Sequence, residues 1–343
     1  MEKLIVTENK KKFTRIIISS LLIIIGLIIL FFGIGLSISL GAKHIGLDTV
    51  FNSMFSVNGD INSKIIRDIR LPRVISAALV GAFLAVSGAI MQGITRNPIA
   101  DPSIMGITQG ATFTIAIAFA MKANIGSSGL MVFAFVGASL SGILIFLLSS
   151  KSSKGVSPVK LALAGTALGT LLISLATGVA MYFNLSQQLS FWISGGLITA
   201  KWQGVKLLAS VGAFGVIAAI IISPKITILS LGEEVAIGLG QKTNIIRFIG
   251  ILIVILLSGS SVAVAGNIAF VGLIVPQIIR GLVGPDYRFI IPCSLVLGAV
   301  LLVYSDIAAR MINQPYETPI GSLTALLGVP FFIYIVRKEA KSL

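Results

Sequence analysis

The sequence predicts an all-α integral membrane protein, with about ten transmembrane helices in one domain spanning residues 1–343. Composition carries much of this. Hydrophobic residues make up 56% of the chain and charged residues 11%, at a mean hydropathy of +1.03, which excludes an ordinary water-soluble globule. Apolar runs of about 18 residues or more recur along the whole length, each enough to cross about 30 Å of hydrocarbon. Backbone groups in lipid must be satisfied within their own segment, so these runs are helices. The 36 glycines fit the close approach of membrane helices.

In order, the spans are 16–37, 71–93, 103–121, 130–149, 158–183, 203–222, 245–265, 268–283, 289–311 and 319–336. The first follows Lys3, Lys10, Lys11, Lys12 and Arg15, with no small-residue cleavage site after it, so a retained helix is expected. The second opens on Arg70-Leu71-Pro72-Arg73, and proline suits a first helical turn. Asn97-Pro98 and Asp101-Pro102 separate it from the third, which, like the eighth, is short and glycine-rich. A polar stretch, 223–244, divides the sixth from the seventh. An even number of spans puts both termini on one side, and the excess of Lys and Arg there makes it cytoplasmic. Lys43, Lys64, Arg67, Arg70 and Arg73 depart from that bias at one outer locus. Ala85–Ile90 (AVSGAI) is echoed five spans later by Ala263–Ile268 (AVAGNI), as an inverted repeat would be.

Several function classes are disfavoured. The lone Cys293 excludes an internal disulfide or multi-cysteine metal site and is expected to be a small buried side chain. His44 is expected to be solvated in a polar connection. The net charge of +14 is scattered over the ends of apolar segments, which suits a bilayer surface and not nucleic acid. A membrane-embedded enzyme would want clustered His, Asp or Glu. An ion-gradient-driven carrier would want an unpartnered intramembrane acid. The candidate, Asp306, has Arg310 one helical turn away, at ion-pair spacing. No G-x-x-x-x-G-K-[ST] occurs, since Gly240-Gln241-Lys242-Thr243 lacks the GK pair, so P-loop ATP hydrolysis is not a property of this chain.

Three sets of residues could carry work. Arg70, Arg73 and Arg310 fall at the outer ends of spans, where arginines either snorkel to headgroups or offer bidentate sockets for carboxylates. Residues 223–244 read as a short amphipathic helix on the membrane surface. Thr166, Thr170, Ser174 and Thr177 form one stripe of the fifth span, which either lines a wet cavity or bonds its own backbone.

Five blocks add a further indication: IRLPR (69–73), ARM (309–311), LGEEVAIGLG (231–240), AGNIAFVGLIVPQIIRGLVGPDYR (265–288) and ETPIGSLTALLGVPFFIYIVRK (317–338). Together they resemble the FecCD family of ABC-transporter permeases, which import iron-siderophores, haem and cobalamin. The resemblance implies a type II ABC importer permease fold. Arg70, Arg73 and Arg310 would receive glutamates of a substrate-binding protein. Leu231, Gly232, Glu233, Glu234, Ala236, Leu239 and Gly240 would form the segment seated in a groove of an ATPase subunit. The fifth and tenth spans would border the path, with a gate at Ser157 and Pro158, where proline replaces a small hydroxyl. Gln277 and Tyr287 stand where histidine is usual, which argues against a metal or proton role. The implied partners are a second permease subunit, identical or homologous, two ATPase subunits holding ATP-Mg, and an extracytoplasmic binding protein. No cofactor is expected on this chain. The expected cargo is an iron(III)-siderophore of hydroxamate type, with haem or cobalamin as alternatives and ion-gradient-driven transport as the alternative class. Arg70→Glu or Arg310→Glu is expected to weaken docking and leave the chain inserted.

Overall fold

The computed structural model describes residues 2–41, 46, 61–121, 125–150, 158–314 and 316–340, and every regular element among them is helical. In chain order these are α1 (Glu2–Ser39), α2 (Ile61–Lys64), a π-helical turn (Ile65–Arg70), α3 (Leu71–Thr95), a 3-10 turn (Pro102–Met105), α4 (Ile107–Ala120), α5 (Ser127–Ser150), α6 (Pro158–Tyr182), α7 (Ser186–Ser194), α8 (Trp202–Ser230), α9 (Glu233–Gly238), α10 (Thr243–Ala265), α11 (Val271–Val283), α12 (Tyr287–Met311) and α13 (Ile320–Ala340). Helices occupy all ten predicted spans. Seven are long and apolar enough to cross a membrane, and the apolar parts of α4, α11 and α13 are shorter.

The second span is longer than expected. It runs back through the π turn to Ile61, because Pro72 has no N–H to give to the carbonyl four residues earlier and its ring crowds that position. A widened turn absorbs both problems, and the N–H of Leu71 bonds back to Ile66. A similar repair lets α8 run on to Ser230 through Pro224, so residues 223–230 belong to the spanning helix and not to a surface segment. The carbonyl of Ile220, which Pro224 leaves without its usual donor, accepts from Ser223 Oγ at 2.8 Å. The helix α7 was not foreseen. Its nine residues are mostly polar, and its anchor is Leu189, buried against Ala116, Ala176 and Ala180.

At the centre lie α3 and α10, whose apolar windows are 83% and 78% buried, against 17% for α1. Apolar side chains gain little by leaving lipid for another helix, so packing relies on close backbone approach. The α3–α12 crossing is built on Gly81 and Gly298, and the α3–α11 crossing on Gly88 and Gly272. Their peripheral counterparts, α1 and α6, turn large apolar side chains outward, including Phe31, Phe32, Leu163 and Met181. The two echoing hexapeptides are not structurally equivalent. Ala85–Ile90 lies wholly within α3, whereas Ala263–Ile268 leaves α10 at Gly266, whose φ of +66° suits a residue without a side chain. Cys293 is buried, as expected. His44 and Ser157 lie outside the described residues.

Candidate functional site

The arginines meet at one end of the bundle, where α1 ends, α3 begins and α12 ends. Arg73 sits in the first turn of α3 and divides its guanidinium between two acids. Its Nε and Nη2 donate to Asp306 Oδ1 at 3.0 and 2.8 Å, and its Nη1 and Nη2 donate to Glu317 Oε1 and Oε2 at 2.8 and 2.9 Å. The expected Asp306–Arg310 pair is present at 3.1 Å, but Arg73 makes the closer fork with that acid. Arg310 also donates to the carbonyls of Ser37 and Leu40 at 3.1 Å and to Ser37 Oγ at 2.6 Å. Arg70 donates to the carbonyls of Ile38 and Ser39. Two cations thus satisfy the open carbonyls at the C-terminus of α1, where the helix dipole favours them.

All three arginines are buried, so their first task is to join α1, α3 and α12. Arg70→Glu or Arg310→Glu, expected above to weaken docking and leave the chain inserted, is therefore also expected to lower folded stability. Either carboxylate would face the main-chain carbonyls that the guanidinium now serves.

The hydroxyl stripe of α6 is exposed along its length. Thr166, Thr170 and Thr177 donate to the carbonyls one turn back, at 2.7, 2.8 and 2.9 Å. Thr166 and Thr170 also line a cavity of about 440 Å³ between α4 and α6, together with Thr108, Gln109, Thr112 and Asn267. Ser174 and Thr177 do not border it. Gln109 Oε1 is buried there without a hydrogen-bond partner. Gln109 and Asn267 were missed, although Gln109 is the sole long polar side chain in the run from Ile107 to Ala120. Pro158 is the first residue of α6.

At the opposite end, α9 is a short helix bracketed by Gly232 and Gly240, whose φ values of +139° and +77° favour glycine. Ala236 is its buried side chain, while Leu231, Val235, Ile237 and Leu239 are exposed. The two acids of the motif differ. Glu234 is exposed, whereas Glu233 accepts a fork from Arg247 of α10, Nη1 at 3.1 Å and Nη2 at 3.0 Å. That fork, helped by the nearby Arg96, holds the Glu233 carboxyl below its ordinary value of 4.5. A depressed carboxyl stabilises the folded form above its unfolded value, and the contribution is lost as pH falls through the lower folded value. Acidification from pH 7 to below 4.5 is therefore expected to loosen α9 from α10, read as faster hydrogen exchange in α9 that Glu233→Gln abolishes. Gln277, where histidine was the expected residue, is structural here. Its Nε2 donates to Gln92 Oε1 at 3.0 Å and to the Pro98 carbonyl at 2.9 Å, tying α11 to α3 and the following loop.

Residues 26–338 match the family model of the FecCD transport family. The chain belongs to the FecCD transport family. It is similar over 94% of its length, at 52% identity, to the iron(3+)-hydroxamate import system permease protein FhuB of Bacillus subtilis, of which 84% is covered. The iron-uptake system permease protein FeuB of the same organism is 44% identical, with 96% of this chain and 97% of that protein covered. The ferric enterobactin transport system permease protein FepD of Escherichia coli is 33% identical, with 92% and 94% covered. Among solved structures, a metal-chelate type ABC transporter in an inward-facing conformation is similar with a TM-score of 0.81 at 29% identity, over 92% of this chain and 98% of that one. This FecCD chain is accordingly a multi-pass membrane protein with the ABC permease fold.

Proposed function

We propose that this FecCD chain is the membrane-spanning permease subunit of an ATP-driven importer of iron(III)-hydroxamate siderophores. The observation that carries the proposal is the 52% identity, across 94% of the chain, to a permease named for that cargo. The chain would work with a second permease subunit, two ATPase subunits holding ATP-Mg and an extracytoplasmic binding protein, and would bind no cofactor itself. Both termini and α9 would then face the cytoplasm, and the arginine cluster would face the binding protein.

In this reading the chain performs no bond chemistry. It is a two-state path biased from both ends, and each partner shifts the balance only by binding one state better. The exposed apolar edge of α9 supports its role as the seat for the ATPase, with Glu234 outward and Glu233 holding the helix to α10. Thr166, Thr170, Ser174 and Thr177 would border the path, and Ser157 and Pro158 would lie at its gate. The cavity beside Thr166 and Thr170 sets hydroxyl and amide groups among the apolar side chains of Ile173 and Ile193, a lining that suits a chelate with both polar and apolar faces.

The decisive experiment is uptake of labelled ferric hydroxamates by cells in which this chain is the sole permease of its class. Uptake that needs ATP and the binding protein supports the proposal. Uptake of haem or cobalamin instead would reassign the cargo, and uptake that survives ATP depletion and collapses with the proton gradient would reassign the class. A second expectation concerns the ATPase seat. Val235→Ala with Ile237→Ala should weaken ATPase binding by about 1–2 kcal/mol. Both residues are exposed, so thermal stability of the isolated permease should not change.

A further inference from the structure

We infer that Glu317 occupies the place on Arg73 that a docking protein's carboxylate takes, and that exchange of one for the other releases the head of α13. The inference rests on the docking reading above and adds the means by which docking is felt inside the bundle.

A guanidinium has five N–H donors in a planar fork. On Arg73 they are divided between the edge facing Asp306 and the edge facing Glu317, so an incoming carboxylate needs one acid to leave. The two acids are not equally replaceable. The Asp306 side chain is 0% exposed and is also held by Arg310, whereas the Glu317 side chain is 31% exposed. Solvent therefore reaches the Glu317 edge alone. Exchanging carboxylate for carboxylate keeps the buried Arg73 charge compensated throughout, which avoids leaving an unpaired ion in a low-dielectric site.

The departing group is well placed to report. Glu317 leads directly into Thr318, whose N–H donates to the Ala309 carbonyl of α12 at 3.0 Å, and then into Pro319 and the buried Ile320 that opens α13. While Glu317 holds Arg73, the head of α13 is tied to α3. Once it is displaced, that tie is gone, and α13 is one of the two helices proposed to border the path.

The test uses the complete importer in lipid nanodiscs, with its ferric-hydroxamate-binding protein as the probe. Glu317→Gln keeps the shape of the side chain and removes its charge. The expected results are an increase of about threefold in affinity for the binding protein, the size of a partly exposed ion pair's contribution, a rise in ATP hydrolysis without binding protein, and faster hydrogen exchange at Thr318. Lower thermal stability with unchanged affinity and hydrolysis would mean a structural tie only and would overturn the exchange. Glu317→Asp, which keeps the charge on a shorter arm, should fall between wild type and Gln; a value at or beyond that of Gln would also overturn it. Reversing the surface glutamates of the binding protein separates the two readings. If those reversals leave docking intact, the docking reading fails. If they abolish docking while Glu317→Gln is silent, the exchange alone fails.

Discussion

Replacing Asp306 with asparagine should destabilise the folded chain by roughly 3–5 kcal/mol, the usual cost of removing one partner from a buried ion pair. The size follows from its position. Its carboxylate is wholly buried and serves both Arg73 and Arg310, so its loss leaves two buried guanidinium groups competing for Glu317 and main-chain carbonyls. Both cations also hold neighbouring helices, which spreads the damage to α1, α3 and α12. The measurement is a thermal or denaturant melt of the purified chain in one fixed detergent. Arg73→Met in the Asp306→Asn background should recover part of the loss, because it removes one of the stranded charges. A double-mutant cycle showing simple additivity would contradict the arrangement described here.

Gly88→Ala is expected to be at least as damaging, beyond the usual overpacking cost of about 1–3 kcal/mol. An added methyl would stand 1.9 Å from the carbonyl oxygen of Gly272 and 2.4 Å from its Cα. These are backbone atoms of α11 and cannot rotate away. The helices must separate, and the neighbouring Gly81–Gly298 contact of α3 with α12 would open with them, since a methyl on Gly81 would already lie 2.2 Å from the Gly298 carbonyl. Contact between membrane helices depends on such close packing, so little else replaces what is lost. The readout is the yield of monodisperse protein and its melting temperature. Gly178→Ala provides the control, because nothing lies within 4 Å of a side chain placed there and alanine favours a helix. A Gly88→Ala protein melting with the wild type would contradict the crossing.

The helical class, the membrane setting and the places of the ten apolar helices were legible because each depends on the composition of one continuous segment. Local chemistry was legible too. The Asp306–Arg310 pair follows from a spacing of one turn, and the position of Glu233 and Glu234 beside Gly232 marks the start of α9. Reach across the sequence was not legible. Nothing near Arg73 in the chain announces Glu317, 244 residues away, and nothing near Glu233 singles out Arg247. Span ends were hidden where proline misled, since a π turn before Pro72 and a serine hydroxyl beside Pro224 let the helices continue. The hydroxyl stripe was read correctly as a stripe, but its contact with a cavity depends on where α4 places Gln109 and its neighbours.

By itself the sequence determined that this protein is a bundle of membrane helices and that its 343 residues carry no P-loop motif. Hydropathy and motif spacing are properties of the chain alone. Tertiary structure decided which charges are available. Along the chain Arg70, Arg73 and Arg310 read as rim cations, either snorkelling to headgroups or offering sockets, and folding buries all three because helix ends brought together leave carbonyls and carboxylates that these cations satisfy.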